Sequence, residues 1–107
     1  MSIAWEGLAQ LRKMLDRGEI SSLEIVDELL ARIERAAKLH AFVEVYPEPA
    51  RALARAADQA RSAGLPLGPL HGLPVVLKDL LDIEGRVCTI GSRHNAARVA
   101  TESSATV

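Results

Sequence analysis

Two charges, Lys78 and Asp79, interrupt the apolar run LPVVLKDLL at residues 73–81. An amine beside a carboxylate can serve as base, acid or electrostatic anchor, depending on how the surroundings tune each group. Taken as a strand, the run sends Val76, Lys78 and Leu80 to one side and Val75, Leu77, Asp79 and Leu81 to the other. Both sides are largely apolar, which is the pattern of a strand covered on both faces. An ammonium in such a place is costly unless it is paired or gives up its proton. The alternative ends the strand at Leu77 and leaves both charges in water, where lysine is normally found.

The other reactive side chains are weaker candidates. Ser103 and Ser104 are adjacent, but neither has the flanking glycines that let a serine nucleophile turn sharply, and helix capping explains them better. Cys88 sits among apolar neighbours, where a thiol behaves as a small hydrophobe. His40, His71 and His94 fall in three separate segments without ligand spacing, and read as solvated or turn histidines, with a role left open at His71. GLPLGPLHG is glycine-rich yet contains neither GxxxxGK nor GxGxxG, so it makes a poor phosphate loop. Arg32, Arg35, Arg51, Arg55 and Arg61 alternate with acids or alanines, as a solvated helix face does.

The elements that must position Lys78 begin with helices. Leu8, Leu11, Met14 and Leu15 form an apolar stripe that stops at Gly18. Ser21 and Glu24 then have capping-box spacing, opening a helix with Val26, Leu29, Leu30, Ile33 and Ala37 on one face, through about Lys38. A third helix has Pro49 in its first turn, an alanine-rich run over 50–63, and Gly64 as its stop. AFVEVY between the last two reads as a short extended piece. GLPLGPLHGLP is a turn-rich approach to a strand over 75–80, followed by a turn at Glu84 and Gly85 and a short extended VCTIGS. TESSATV resembles a first helical turn capped by Thr101 or Ser103, and its break-off at Val107 reads as a cut.

Composition narrows the function classes. The 107 residues are 49% hydrophobic and 25% charged, ordinary for a globular domain. A net charge of −1 gives no general attraction to nucleic acid or to an anionic membrane. Trp5, Phe42 and Tyr46 are the only aromatics of their kinds, too few for a base-stacking platform. One cysteine allows no internal disulfide, and no paired Cys/His spacing points to zinc. No apolar signal core follows Met1, and the uncharged stretch 63–77 is broken by proline and glycine. A cytoplasmic protein is therefore expected.

RGEISSLEIVDELLARIE, AFVEVYPEPARALARAAD and GPLHGLPVVLKDLLDIEGRVCTIGSR together resemble the amino-terminal part of the amidase-signature hydrolases. The resemblance implies an α/β fold, with amino-terminal helices leading into the first strands of a mixed sheet flanked by helices. Residues 1–107 then form the amino-terminal segment of a single amidase domain, helical over 1–64, with a strand and turn region over 65–107. Members of the family cleave carboxylic amides with a serine, a second serine on a cis peptide bond, and a lysine. Lys78 matches that lysine, the triad's base, whereas the serines and their glycine-rich turn are expected beyond residue 107. The resemblance implies no metal and no organic cofactor, a small non-peptide amide as substrate, no nucleic-acid or membrane partner, and inactivity of this chain by itself. Self-association or a complementary chain is a further expectation. Asp79 receives no catalytic step, and Cys88 stands where relatives often have threonine. Two rivals remain: the A-type subunit of tRNA-dependent amidotransferases, although DLLDIEG looks more like the general amidases, and a non-catalytic helical interaction module.

Burial would reconcile the lysine with its apolar run. Desolvation disfavours the ammonium, and a neutral amine can accept a proton near pH 7.

Overall fold

A computed structural model describes residues 2–107. Helix α1 (Leu8–Asp16), helix α2 (Ser22–Arg35) and helix α3 (Pro47–Ser62) form where their apolar stripes predict them. Their ends are set by local chemistry. Gly18 takes φ +68° after α1, with the Glu19 amide bonding the Met14 carbonyl at 2.9 Å and the Gly18 amide bonding that of Leu15 at 3.1 Å. Gly64, at φ +71°, closes α3 with the same pair of bonds, Leu65 to Ala60 and Gly64 to Arg61, both 3.1 Å. Only glycine reaches this left-handed geometry without strain, which is why both stops are legible in the sequence.

The α2 start is a complete capping box. The Ser21 hydroxyl accepts from the Glu24 amide at 3.1 Å, and the Glu24 carboxylate accepts from the Ser21 amide at 2.7 Å. Two further free amides of its first turn, Ser22 and Leu23, donate to the Asp58 carboxylate of α3 at 2.7 and 3.1 Å. Farther along, Arg51 of α3 donates to Asp27 of α2 at 2.7 Å. The two pairings run in opposite senses along the helices, so α2 and α3 pack antiparallel. Leu15, Ile25, Val26 and Ala54 are buried where these helices meet, together with Ser22. A short turn of 3-10 helix, Ile3–Trp5, lies against α2, with the Arg32 guanidinium 4.2 Å from the Trp5 ring centre.

The chain divides into two compact units, one running to Pro74 and one comprising Val75–Val107. The first ends in the 68–73 loop, which is tied to the helices at several points. Arg12 donates to the Pro69 carbonyl at 2.8 Å, Arg61 to that of His71 at 3.4 Å, and the His71 Nε2 bonds the Ala57 carbonyl at 2.9 Å. Gly72 has φ +79°, and a Cβ there would stand 2.2 Å from the Ser22 hydroxyl.

In the second unit the chain doubles back on itself. Gly85 donates to the Ala100 carbonyl at 2.9 Å, Ala100 to Arg86 at 2.9 Å, and Cys88 to Arg98 at 3.1 Å. This leaves one isolated antiparallel bridge, Val87 with Val99. The turn expected at Glu84 and Gly85 is present.

Several expectations are corrected. The strand over 75–80 does not form, and among the described residues there is no strand at all, so the sheet component of the expected α/β fold is absent here. A strand is stable only when a neighbour takes up its amides and carbonyls, and in this unit those partners go to the 85–88 and 98–100 segments. Val75 and Val76 are each 73% exposed in consequence. AFVEVY is likewise irregular, with no strand paired to it. Helix α2 ends at Arg35, and a separate 3-10 turn, Ala37–Leu39, follows before His40 at φ 49°. TESSATV is a bend and turn, not a helix.

Candidate active site: the turn at Lys78 and Asp79

Lys78 is exposed, lying in irregular chain just before a tight turn. The buried lysine expected once the family resemblance is taken into account is thus corrected, and the alternative that leaves Lys78 in water is what the chain shows. Without strand neighbours, nothing shields the side chain from water. Its backbone, by contrast, is well tied. The Lys78 carbonyl accepts from the Leu80 amide at 2.7 Å and from the Leu81 amide at 3.0 Å.

Asp79 faces away from the role of a second base. Its carboxylate accepts from the Thr89 amide at 3.0 Å and, through its other oxygen, from the Thr89 hydroxyl. The Thr89 hydroxyl in turn accepts from the Gly91 amide at 3.1 Å. The Thr89 hydroxyl, then the Thr89 amide, hold the Asp79 carboxyl below the ordinary carboxylate range, with Lys78 a smaller influence in the same direction. Asp79 is therefore an ionised anchor.

A second carboxylate organises the rest of this unit. Asp82 receives both Arg98 guanidinium nitrogens, at 2.8 and 2.9 Å. The Arg98 hydrogen bonds keep the Asp82 carboxyl low, and the same partnership raises Arg98. Cys88 is 2% exposed beside them. Burial pushes its thiol up, and the neighbouring Asp82 pushes the same way, which makes the thiolate scarce at neutral pH.

Ser103 and Ser104 do cap backbone, though of a turn and not of a helix. Their hydroxyls accept from the Glu84 and Asp82 amides, each at 3.0 Å. His94 lies in an exposed 3-10 turn, Arg93–Asn95, and His40 is exposed, while His71 belongs to the helical unit as a loop anchor. Of the residues that sequence singled out, the fold thus joins Cys88 to Asp82 and Asp79 to its new partner Thr89, and leaves the three histidines dispersed. Thr89 escaped notice because its relation to Asp79 spans ten residues. The visible signal was the DIEG turn between them, which returns the chain towards its own start.

Comparison with known proteins follows the same segment. A family model described as Amidase matches residues 24–107. The chain is 49% identical over 83 residues to the A subunit of the glutamyl-tRNA(Gln) amidotransferase of Synechococcus sp. (strain CC9605), covering 77% of this chain and 17% of that protein. It is 48% identical over 87 residues to the corresponding protein, of the same name, from Roseiflexus castenholzii (strain DSM 13941 / HLO8), covering 80% and 18%. Among solved structures it is similar, at a TM-score of 0.85 and 34% identity, to a chain from a vestigial protein complex that reveals the evolutionary origins of an s-triazine catabolic enzyme. That match covers 92% of this chain and 22% of the other, and an inhibitor-bound form of the complex gives a TM-score of 0.86. This chain therefore spans about a fifth of the length of the relatives it matches.

Proposed function

We propose a function from one fact: this chain belongs to the amidase family. It is the amino-terminal, lysine-bearing segment of a single amidase domain, and Lys78 is the base of a serine–serine–lysine triad that cleaves a small non-peptide amide. The observation that carries this reading is the position of Lys78 inside the matched residues, on a backbone turn clamped by hydrogen bonds from the Leu80 and Leu81 amides to its carbonyl. In the reaction, the nucleophilic serine forms a bond to the amide carbon while its proton passes through the relay serine to the Lys78 amine. The C–N bond then breaks, the amine leaves with a proton, and water releases the acyl group from the serine. No cofactor enters, and the setting is the cytoplasm.

The base must lose its proton first, and desolvation is what favours a neutral amine. Lys78 is exposed in this chain, so the reading requires further protein to cover it. The apolar flanks Val75, Val76 and Leu80, exposed here, supply surface for such cover as the first strands of a mixed sheet. A complementary chain or a continuing domain would serve equally. That one relative is a subunit of an amidotransferase and another a chain of a protein complex supports a partner chain.

The test is a chimera in which residues 24–107 replace the matching segment of an active amidase-family enzyme. Lys78→Ala should abolish amide turnover, and Lys78→Arg should do nearly as badly, because a guanidinium does not give up its proton. Full activity in the Lys78→Arg chimera would remove Lys78 from the base role.

A second reading rests on the 49% identity to the amidotransferase protein of Synechococcus. In that case water still takes the acyl group from the serine, and the ammonia released is passed to glutamyl-tRNA(Gln) instead of to solvent. Dependence of product formation on that acceptor separates this reading from simple hydrolysis, towards which the DLLDIEG wording leans.

A further inference from the structure

We infer that Asp79 and Thr89 are positioning residues for Lys78, a pair that fixes the direction in which the lysine backbone leaves its turn. The inference rests on the reading of Lys78 as a base, and it concerns residues to which that reading gives no part.

The geometry is specific. Asp79, the residue after the lysine, uses both carboxylate oxygens on one residue, taking the Thr89 amide at 3.0 Å and the Thr89 hydroxyl. Two bonds from one carboxylate to one residue resist rotation in a way that a single bond does not. Thr89 is itself tied down at both ends. Its hydroxyl accepts from Gly91 at 3.1 Å, and it directly follows Cys88, whose amide bonds the Arg98 carbonyl at 3.1 Å. Between Thr89 and Gly91 the chain passes through Ile90 at φ 54°. A β-branched residue is strained in that region and stays there only where its surroundings leave no alternative. Ile90 is 58% exposed, so packing of its own side chain is not the reason. Two constraints span it: the Thr89 hydroxyl, bonded to Asp79 on one side and Gly91 on the other, and the Thr89 carbonyl, which accepts from the Ser92 amide at 2.9 Å.

The consequence runs back to the lysine. The Leu80 and Leu81 amides both close on the Lys78 carbonyl, so the turn pivots on Asp79. Anchoring Asp79 therefore sets the φ and ψ from which the Lys78 side chain projects. A general base must sit within hydrogen-bond reach of its proton donor, and a displacement of about 1 Å can cost on the order of 100-fold in rate. The ionisable groups near Asp79 are Lys78 and Cys88, and neither accepts or donates a hydrogen bond to its carboxylate.

Amide exchange on residues 1–107 tests the geometry without any activity. Thr89→Val should speed exchange at the Leu81 amide by about tenfold, the loss expected for roughly one net hydrogen bond. The α2 amides should be unchanged, and Thr89→Ser, which keeps the hydroxyl, should restore the slow rate. Lowering the pH should cost the Leu81 amide the same protection as Thr89→Val, each rate being taken relative to the intrinsic exchange rate at that pH, which itself falls as the pH falls. Asp79's depressed carboxyl stays ionised through the ordinary value of about 3.9 and releases Thr89 only below it. Equal Leu81 exchange in the Thr89→Val and parent chains overturns the inference. In the chimera, Thr89→Val should lower kcat on the order of 10- to 100-fold with KM little changed, again with rescue by Thr89→Ser. If Lys78→Ala leaves turnover intact, the base assignment fails. If Lys78→Ala abolishes turnover and Thr89→Val leaves kcat intact, the base assignment stands and only the positioning pair is overturned.

Discussion

At the scale of single residues, the second unit relies on polar side chains where an apolar core is thin. Only Cys88 and Ala100 are buried hydrophobic residues among 75–107, while Asp79, Asp82, Arg98, Ser103 and Ser104 all bind backbone or one another. Cys88 is the most informative probe of this arrangement. It is 2% exposed, and both burial and Asp82 disfavour its thiolate. Native chain should therefore react with an alkylating reagent at pH 7.5 at least about tenfold more slowly than chain unfolded in urea, because the thiolate is the reactive form. Asp82→Asn removes the charge and weakens the Arg98 clasp, and should speed the native reaction. A native rate equal to the unfolded rate would show that Cys88 is not enclosed.

Elements impose a second kind of constraint, visible where α2 starts. Its first-turn amides are shared between Ser21, a neighbour in sequence, and Asp58, a neighbour only through packing of α3. Ser21→Ala should cost about 1 kcal/mol, as for other serine caps. Asp58→Ala should cost more, since two amides lose their acceptor in a half-buried place. Urea denaturation of the two variants checks the order. The contact of Gly72 with Ser22 gives a sharper test. Gly72→Ala should cost roughly 1–2 kcal/mol from the left-handed backbone alone, with the 2.2 Å clash against the Ser22 hydroxyl added. Ser22→Ala by itself should be near neutral or stabilising, because this buried hydroxyl has no hydrogen-bond partner among the described residues. In combination, Ser22→Ala should relieve the clash while leaving the backbone cost, a positive coupling that a double-mutant cycle reads directly. Strict additivity would mean that the 68–73 loop does not approach α2 this closely.

For the whole molecule, exposed apolar surface dominates the expected behaviour in solution. Leu39 at 75% exposure, Val75, Val76 and Leu53 at 73%, Val43 at 72% and Leu80 at 55% are among the examples. Unpaired extended chain and apolar patches both favour association. Residues 1–107 made alone should accordingly self-associate or bind a complementary chain, with the 65–107 region exchanging faster than the helices. Sedimentation and hydrogen exchange decide it. A dilute monomer that melts sharply, with slow exchange through 75–80, would instead favour an independent helical module. The same material should not turn over simple amides, because its sequence supplies no serine with glycine on both sides and hence neither nucleophile nor oxyanion donors of the family's kind. Turnover abolished by Lys78→Ala would contradict that expectation.

Local signals were enough for some features of this protein. Gly18 and Gly64 mark helix stops, and Ser21 with Glu24 marks a helix start, because each acts through dihedral angles and hydrogen bonds a few residues away. The family was legible too, since GPLHGLPVVLKD lies inside the matched residues 24–107. What sequence left undecided depends on partners distant in the chain. Alternation over 75–80 is compatible with a strand, but a strand exists only where a second one pairs with it, and none does here. The exposure of Lys78 follows from that absence, because burial is a property of neighbours and not of a residue type. Asp58 as the cap of α2 and Thr89 as the anchor of Asp79 were hidden for the same reason. Each contact links residues whose closeness is created by packing or by a returning turn, and only the tertiary structure brings them within hydrogen-bond reach.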